Sequence, residues 1–486
     1  MCCSRQKDEK KVERAYGLLP FVLEEVEGEG TVTPRAGLAA VAEAARAMGL
    51  PEVVEREVRL KRRERGYSEW EFIESFVLLL CGGGECVDDL GVLRSDSALS
   101  KLVGHEFPSA SAGKKFLYAF EDPLLAGEDA KQRELFPSYV WRESAALVGL
   151  GRVCKEVVRQ AHKSRPERVA TLDQDATIVE SSKRAAAMTY QGKRGYQPMI
   201  VLWAEQDVVV ADEFRDGNVP PGSGVLRVAR AGFEALPAGV ERVYYRGDSA
   251  SYCHELLNWL REERDGRPRA TFAISADMSP ELRAVAVATE EWHSDPEDPC
   301  RSWAELDFVP SGPSVKKGRK PDRYLGIRIR PPQGELFSDG SEEKYFAVVT
   351  NDFERGGLEI INWHRQRAGT VEHTHDVLKN ELGAGVLPSE RFAANAAWFR
   401  LNVLTYNILS VLRRNVLPRQ LERARPKRLR FVVFSIAARV ISHARRIVAR
   451  VVGHFQELGV RLTQIRQRLM KLRRLWGRKE PSRTGT

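Results

Sequence analysis

The stretch RVATLDQDATIV, residues 168–179, joins the composition of a β-strand to a pair of carboxylates. β-Branched and apolar residues surround Asp173 and Asp175, with a single glutamine between them. Side chains alternate across a strand, so both aspartates share one face, while Leu172 and Gln174 take the other. Two neighbouring carboxylates repel. They must meet solvent, take up a proton or accept a divalent cation, and only the last makes the arrangement useful.

Working outward, PMIVLWAE (198–205), DVVVADEF (207–214) and VERVYYRGD (240–248) are further short runs rich in Val, Ile and Tyr, bounded by turn residues. GNVPPGSG (217–224) reads as a loop, and VLRVARAGFEAL (225–236) and SYCHELLNWLREER (251–264) as helices. The predicted order across 166–262 is therefore strand, strand, strand, helix, strand, helix. Residues 263–344 are less regular, with strands predicted at RATFAIS (269–275) and YLGIRIR (324–330) around polar loops that include KKGRKPDR (316–323), and they read as an insertion. YFAVVTND (345–352) is one more strand, followed by helix from about 370 to 415.

Before the strands, residues 1–165 read as mainly helical. ERGYSEWEFIESFVLLLCGGGECVDDLGVL (64–93) predicts a helix stopped by Gly82, Gly83 and Gly84 and a second short helix after it. In HEFPSASAGKKFLYAFED (105–122), Pro108 and Ser109 offer a helix start and Lys114 and Lys115 a basic face, the makings of a helix-turn-helix or of a capped surface helix.

Charge is divided unevenly along the 486 residues. The whole carries +9, yet residues 411–486 hold 21 Lys or Arg against 3 Asp or Glu. Stretches such as RLTQIRQRLMKLRRLW (461–476) and FVVFSIAARVISHARRIVARVVG (431–453) alternate arginine clusters with apolar positions and predict amphipathic helices with a cationic face. Such a face binds phosphate backbones by releasing counterions. No run approaches the roughly 18 uncharged apolar residues of a membrane span, and the amino-terminal residues MCCSRQKDEKK lack a signal-peptide core. Seven scattered cysteines form no disulfide framework, so a cytoplasmic protein associated with the nucleoid is expected, with no membrane partner.

Two more acids complete a pattern. Asp248 ends the strand of VERVYYRGD, where α/β sheets place active-site groups, although an aspartate there also suits a helix N-cap. Glu372 lies in the first turn of a helix in TVEHTHDVLKNELG (370–383), capped by Thr370 and stopped by Gly383; Lys379, two turns on, stacks on the same face, off the stripe of Val371, Leu378 and Leu382. A strand aspartate, a strand-end aspartate and a helical glutamate form the constellation a two-metal phosphoryl-transfer site requires. In this order, and in wording, the chain resembles the ribonuclease-H-like DDE transposases of bacterial insertion sequences, in particular the family with the group-one DDE transposase domain. The resemblance is carried by TLDQDAT (171–177), GYQP (195–198), RDGN (215–218), RGDS (246–249) and RQRAGTVEHTHDVLKNELG (365–383), with VLRSDSAL (92–99) and FPSASAGKKF (107–116) upstream.

That resemblance implies an α/β fold: a ribonuclease-H-like mixed sheet with helices, interrupted by a mostly β insertion that contacts the transposon end. Its parts are an N-terminal helical DNA-binding region (1–165), a catalytic core in two parts (166–262 and 345–415), the insertion (263–344) and a basic helical C-terminal region (416–486). It implies Mg²⁺, with Mn²⁺ as a substitute, held by Asp175, Asp248 and Glu372; Asp173 remains the alternative first acid or an accessory ligand. Lys379, with Arg365 or Arg367, would clamp the phosphate beside the scissile bond. The family signature Y-x2-R-x3-E-x6-K is met at Glu372 and Lys379, whereas His364 stands in the tyrosine's place and Arg367 lies one residue further from the glutamate. Trp292 and Trp303, in the insertion, can stack on an unpaired base or pack in a core. The implied partners are double-stranded DNA, as transposon ends and target, and a second copy of the chain in a paired-end complex. The implied activity is metal-dependent cleavage at terminal inverted repeats and strand transfer. A transposase-derived DNA-binding protein with lapsed catalysis, and a ribonuclease-H-like nuclease without strand transfer, are the alternatives.

Overall fold

The computed structural model describes residues 13–16, 22–25, 31–61, 65–262, 269–310, 322–332, 335–443, 446–451 and 461–477. Among them, nine strands make one sheet: β1 Val169–Ala176, β2 Met199–Trp203, β3 Val208–Glu213, β4 Arg242–Gly247, β5 Ala270–Ala276, β6 His293–Asp295, β7 Asp298–Leu306, β8 Arg323–Ile329 and β9 Lys344–Thr350. Their spatial order is β6-β7-β8-β9-β5-β4-β1-β2-β3. β4 runs parallel to both β1 and β5, and the remaining pairs are antiparallel. The 3-2-1-4-5 half is the ribonuclease-H-like mixed sheet that the resemblance implies.

β1 is buried along most of its length because helices cover both of its faces. On one face, Gln174 donates to the carbonyl of Val225 at 3.0 Å, at the start of helix Val225–Ala235. On the other, helix Val371–Asn380 lies against β1 and is backed by helix Phe392–Asn415 through the Thr374 and Tyr406 hydroxyls, 3.1 Å apart. The latter helix is buried nearly all round, and its polar side chains find partners inside. The larger apolar core runs from Leu38 in the N-terminal helices through the sheet to Trp476, so the N-terminal helices pack against the sheet.

Two assignments made from sequence differ. Residues 270–276, assigned above to the insertion, are β5, a parallel neighbour of β4; the rest of that stretch widens the same sheet with β6, β7 and β8. The stretch 431–453 is not an amphipathic helix in its described part. A short helical turn, Arg430–Phe434, leads into an antiparallel hairpin, Ala438–His443 with Arg446–Val451, whose first strand also pairs with Val32–Thr33. Valine, isoleucine and alanine spaced between arginines satisfy either period over so short a run, and β-branched content prevails once a partner strand is at hand. Leu462–Leu475 is helical, as the pattern predicts. KKGRKPDR lies outside the described residues except for its last two. No described helix is long and apolar enough to cross a membrane.

In the N-terminal half, helix Glu69–Gly82 starts in a Ser68–Glu71 capping box and ends at Gly83, whose φ of 98° needs glycine. Ser109 caps helix Ala110–Tyr118, accepting from the Ala112 N–H at 3.2 Å, and residues 104–109 join it to helix Ser97–Val103.

Candidate active site

Parallel register brings the first two acids together. Gly247 pairs with Gln174, and Asp248, still extended at φ −80° and ψ −171°, follows directly, so continuation of the register sets its backbone about one strand spacing, roughly 4.8 Å, from that of Asp175. Its side chain makes no capping bond to the short turn that follows, so a cap role does not explain it. The third acid arrives on helix Val371–Asn380, which Thr370 anchors by donating its hydroxyl to Asp173. Glu372 is exposed in the first turn. His375, three residues later on the helix, places its Nε2 3.9 Å from the Asp175 carboxylate.

Burial pushes the Asp175 carboxyl up to about 7; Arg367 opposes that rise, and the charges of Asp248 and Glu372 add to it. Among the described residues no group of three His, Cys, Asp or Glu side chains is placed so as to hold a metal ion. The donor set is nonetheless all carboxylate oxygen, which suits a hard divalent cation. Arg367, at 3.8 Å, offsets the Asp175 charge only in part, since the carboxyl still stays well above its ordinary value.

Asp173 has a different environment. Fully buried, it accepts two bonds from Arg246, at 2.6 and 2.7 Å, because the β1–β4 register sets these residues side by side. The two aspartates do share a face, but one of the charges is already answered by an arginine.

The arginines also separate. Arg367 is buried, donates to the Gln174 carbonyl at 3.1 Å and lies 3.8 Å from Asp175, whereas Arg365 is exposed. His364, in the tyrosine's place, has its ring Nε2 3.0 Å from the Gly247 carbonyl, to which it donates; burial pulls it down to about 4, so it is neutral and fixes the end of β4. Lys379 donates to the Ile178 carbonyl at 2.9 Å, which ties the helix bearing Glu372 to the chain just past β1.

Other predicted residues lie elsewhere. Lys114 pairs with Asp88 at 2.9 Å and Lys115 is exposed, both on the N-terminal helices. Trp303 sits on β7, four strands from β4 and so roughly 19 Å across the sheet, and packs against a small core containing Ile360 and Ile361. Trp292 is covered by the Arg328 guanidinium, 4.5 Å from its ring centre. Sequence reasoning missed His375, for which helical spacing from Glu372 was the available signal, and Arg215 of RDGN. Arg215 is fully buried and donates to the Gln197 carbonyl at 3.0 Å, and Gln197 returns a bond from its N–H to the Arg215 carbonyl at 2.8 Å.

Comparison with known families agrees with the sequence resemblance. The family model described as transposase DDE domain, group 1, matches residues 22–474. Seven chains of solved structures match; one is the cryo-EM structure of the piggyBac transposase synaptic complex with hairpin DNA, 11% identical, covering 92% of this chain and 84% of that one with a TM-score of 0.46. No curated protein matches.

Proposed function

The chain belongs to the transposase DDE domain group 1 family, and from that premise we propose that it cleaves the terminal inverted repeats of its element and transfers the freed strand into target DNA, with Asp175, Asp248 and Glu372 as its catalytic acids. What supports the reading is the register that runs on from Gly247 and Gln174 to Asp248 and Asp175, with Glu372 exposed in the first turn of the helix that lies against β1. Asp175 is then the first acid and Asp173 a positioning residue, since its oxygens are committed to Arg246 and Thr370.

Divalent metal, Mg²⁺ or Mn²⁺, held by the three carboxylates would lower the barrier by neutralising charge on the attacking and leaving oxygens. The protein's own task is to position and to exclude. Asp173 and Arg246 hold β1 and β4 in register, Thr370 fixes the start of the glutamate helix to β1, and His375 fills the space behind Asp175 as a neutral ring, burial having pulled it down to about 3. Arg367 offsets part of the carboxylate charge from within, and exposed Arg365 is the better placed of the two to meet DNA phosphate. Lys114, Lys115 and the C-terminal arginines are assigned to binding DNA away from the cut, and two copies of the chain to pairing the two ends.

The test is a nicking and strand-transfer assay on the inverted repeats flanking the gene, run with Mg²⁺. Asp248→Asn, Asp175→Asn and Glu372→Gln each abolish nicking, a loss of about a hundredfold or more, while end binding by gel shift persists. Nicking retained by Asp248→Asn removes the assignment. Nicking without any strand transfer would favour the nuclease reading, and end binding without nicking by the wild type the lapsed one.

A further inference from the structure

The turn 104–109, between helices Ser97–Val103 and Ala110–Tyr118, carries a histidine for which the acidic site has no use. His105 follows Gly104, whose φ of 88° ends the first of these helices, and its side chain is only 6% exposed. Its Nε2 lies 2.8 Å from the Glu74 carboxylate on helix Glu69–Gly82, and its Nδ1 2.9 Å from the Glu106 carbonyl. Both neighbours are accepting oxygens. The same carboxylate accepts two bonds from Arg46 of helix Leu38–Ala47, at 2.9 and 2.6 Å, and Arg46 reaches on to the Val103 carbonyl at 2.7 Å. One buried carboxylate thus gathers two helices and the turn.

Counting protons decides the state of the ring. A neutral imidazole has one N–H and one lone pair, so it serves only one of two facing acceptors, and serving both requires the imidazolium. The charged groups that face it are Glu74 and, further off, Glu71, both on helix Glu69–Gly82, with the Arg46 guanidinium across Glu74. Burial works against the charge, yet the bonds to Glu74 and to the Glu106 carbonyl outweigh it and hold the ring above its ordinary value of 6.5. His364 and His375, buried beside cations instead, are neutral. Without its second proton the His105 ring turns a lone pair on one of the two oxygens, and that bond is lost. Because the folded value is the higher one, the ring's contribution is complete below 6.5 and disappears as pH rises through the folded value.

We propose that His105 is a protonation latch on the N-terminal helices: charged, it clamps the turn to Glu74 and fixes helix Ala110–Tyr118 relative to helix Ser97–Val103; neutral, it frees the turn and weakens the grip of this pair on DNA. The last clause rests on the reading of these helices, with the exposed Lys101 and Lys115, as DNA-binding. Opening is local. Phe107 is fully buried and its carbonyl keeps bonds from the Tyr67 hydroxyl at 3.2 Å and Arg94 at 3.1 Å, so the turn comes loose at Gly104–Glu106 while the helices stay folded.

Full-length wild type, His105→Gln and His105→Lys, compared at constant salt from about pH 6 to about pH 8.5, test it across the range in which a histidine titrates. NMR of isotope-labelled histidine rings, with the His105 signal identified by its absence from either variant, reads the proton. Hydrogen exchange, as protection relative to the unstructured chain, reads the turn. Titration onto a duplex of the element's end reads DNA. The ring should titrate above 6.5, protection at residues 104–106 should fall with the same midpoint, and wild type should bind the end roughly tenfold more weakly at the top of the range, the loss of one bond to a charged group. His105→Gln, neutral throughout, should bind weakly at both extremes, and His105→Lys, charged throughout, tightly at both. A ring that titrates at or below 6.5, or wild-type protection that does not change with pH, overturns the latch, and the second readout needs no variant. A ring and turn that titrate together while end binding stays level with pH overturn its part in DNA binding. Absence of wild-type end binding at every pH removes that part together with the reading it rests on, and the ring and the turn still decide the latch.

Discussion

Asp173 and Asp175 differ by two residues and by what surrounds them, and the difference is a matter of register. Asp173 faces Arg246 across the β1–β4 pair, both nearly inaccessible. Removing one partner of such a pair strands the other charge, so Asp173→Asn should cost about 3–5 kcal/mol, read as a lowered urea midpoint, with nicking lost only as far as folding is. Asp175→Asn should do the opposite in metal-free protein. Its folded carboxyl is up at about 7, above the ordinary value of 3.8 that the unfolded chain has; the group's contribution is therefore full below pH 3.8 and is lost as pH rises through 7. The variant escapes that loss and should melt higher than wild type by an amount growing from about pH 4 to about pH 8, on the order of 4 kcal/mol at the top. Added Mn²⁺ should close the gap by stabilising wild type alone. A gap independent of pH would sink this account. Strand alternation made the shared face of Asp173 and Asp175 legible in the sequence, and the β-branched run of VERVYYRGD made the strand that ends before Asp248 legible. Arg246 as the partner of Asp173 was not, because parallel pairing joins residues 73 apart and no local pattern encodes it.

Elements were legible where one period dominated. β1 to β4 and their two helices follow from Val- and Ile-rich runs broken by turns, whereas the single helical stretch read at about 370 to 415 divides into Val371–Asn380 and Phe392–Asn415. The hairpin at 438–451 was not, because its second strand is exposed on every residue and burial left no imprint on its pattern. Edges are also where the sheet needs closing. β3 is its outer strand, and Asn407, fully buried on helix Phe392–Asn415, bonds both the N–H and the C=O of Val209 at 2.8 Å. That pair of bonds joins the helix behind the acids to the far edge of their sheet. Asn407→Ala leaves two buried backbone groups unpaired and should cost about 2–4 kcal/mol. Asn407→Asp keeps only the acceptor and should lie in between or fall lower through a buried charge. Hydrogen exchange at Val209 should rise in either case before global unfolding; protection at the wild-type level would show that the helix holds the edge by packing alone.

For the whole molecule, charge and core are distributed by different rules. The larger core is continuous, and even the last described helix, Leu462–Leu475, is fastened to the N-terminal half: Ile465 and Leu469 are buried, Arg466 meets Glu43 at 2.7 Å, and the Trp476 indole donates to Ser164 at 2.8 Å. Positive charge is concentrated instead in the last residues, and packing leaves Arg446, Arg450 and Lys471 among the exposed ones. Because this helix is docked on the N-terminal helices and the hairpin is paired to Val32–Thr33, the tail's charge belongs to the same body as the acids, so duplex bound along it is held at a fixed relation to the cut. Replacing Arg446, Arg450 and Lys471 together by glutamine should leave the melting temperature within about a degree, since exposed charges contribute little to stability. The logarithm of the DNA affinity should then fall less steeply with the logarithm of salt, by about 0.9 for each phosphate no longer neutralised. Nicking at saturating protein and low salt should be unchanged, because none of the three touches the acids. An unaltered salt slope would place the DNA on another surface; a normal slope with lost nicking would mean that the tail acts on the catalytic site itself.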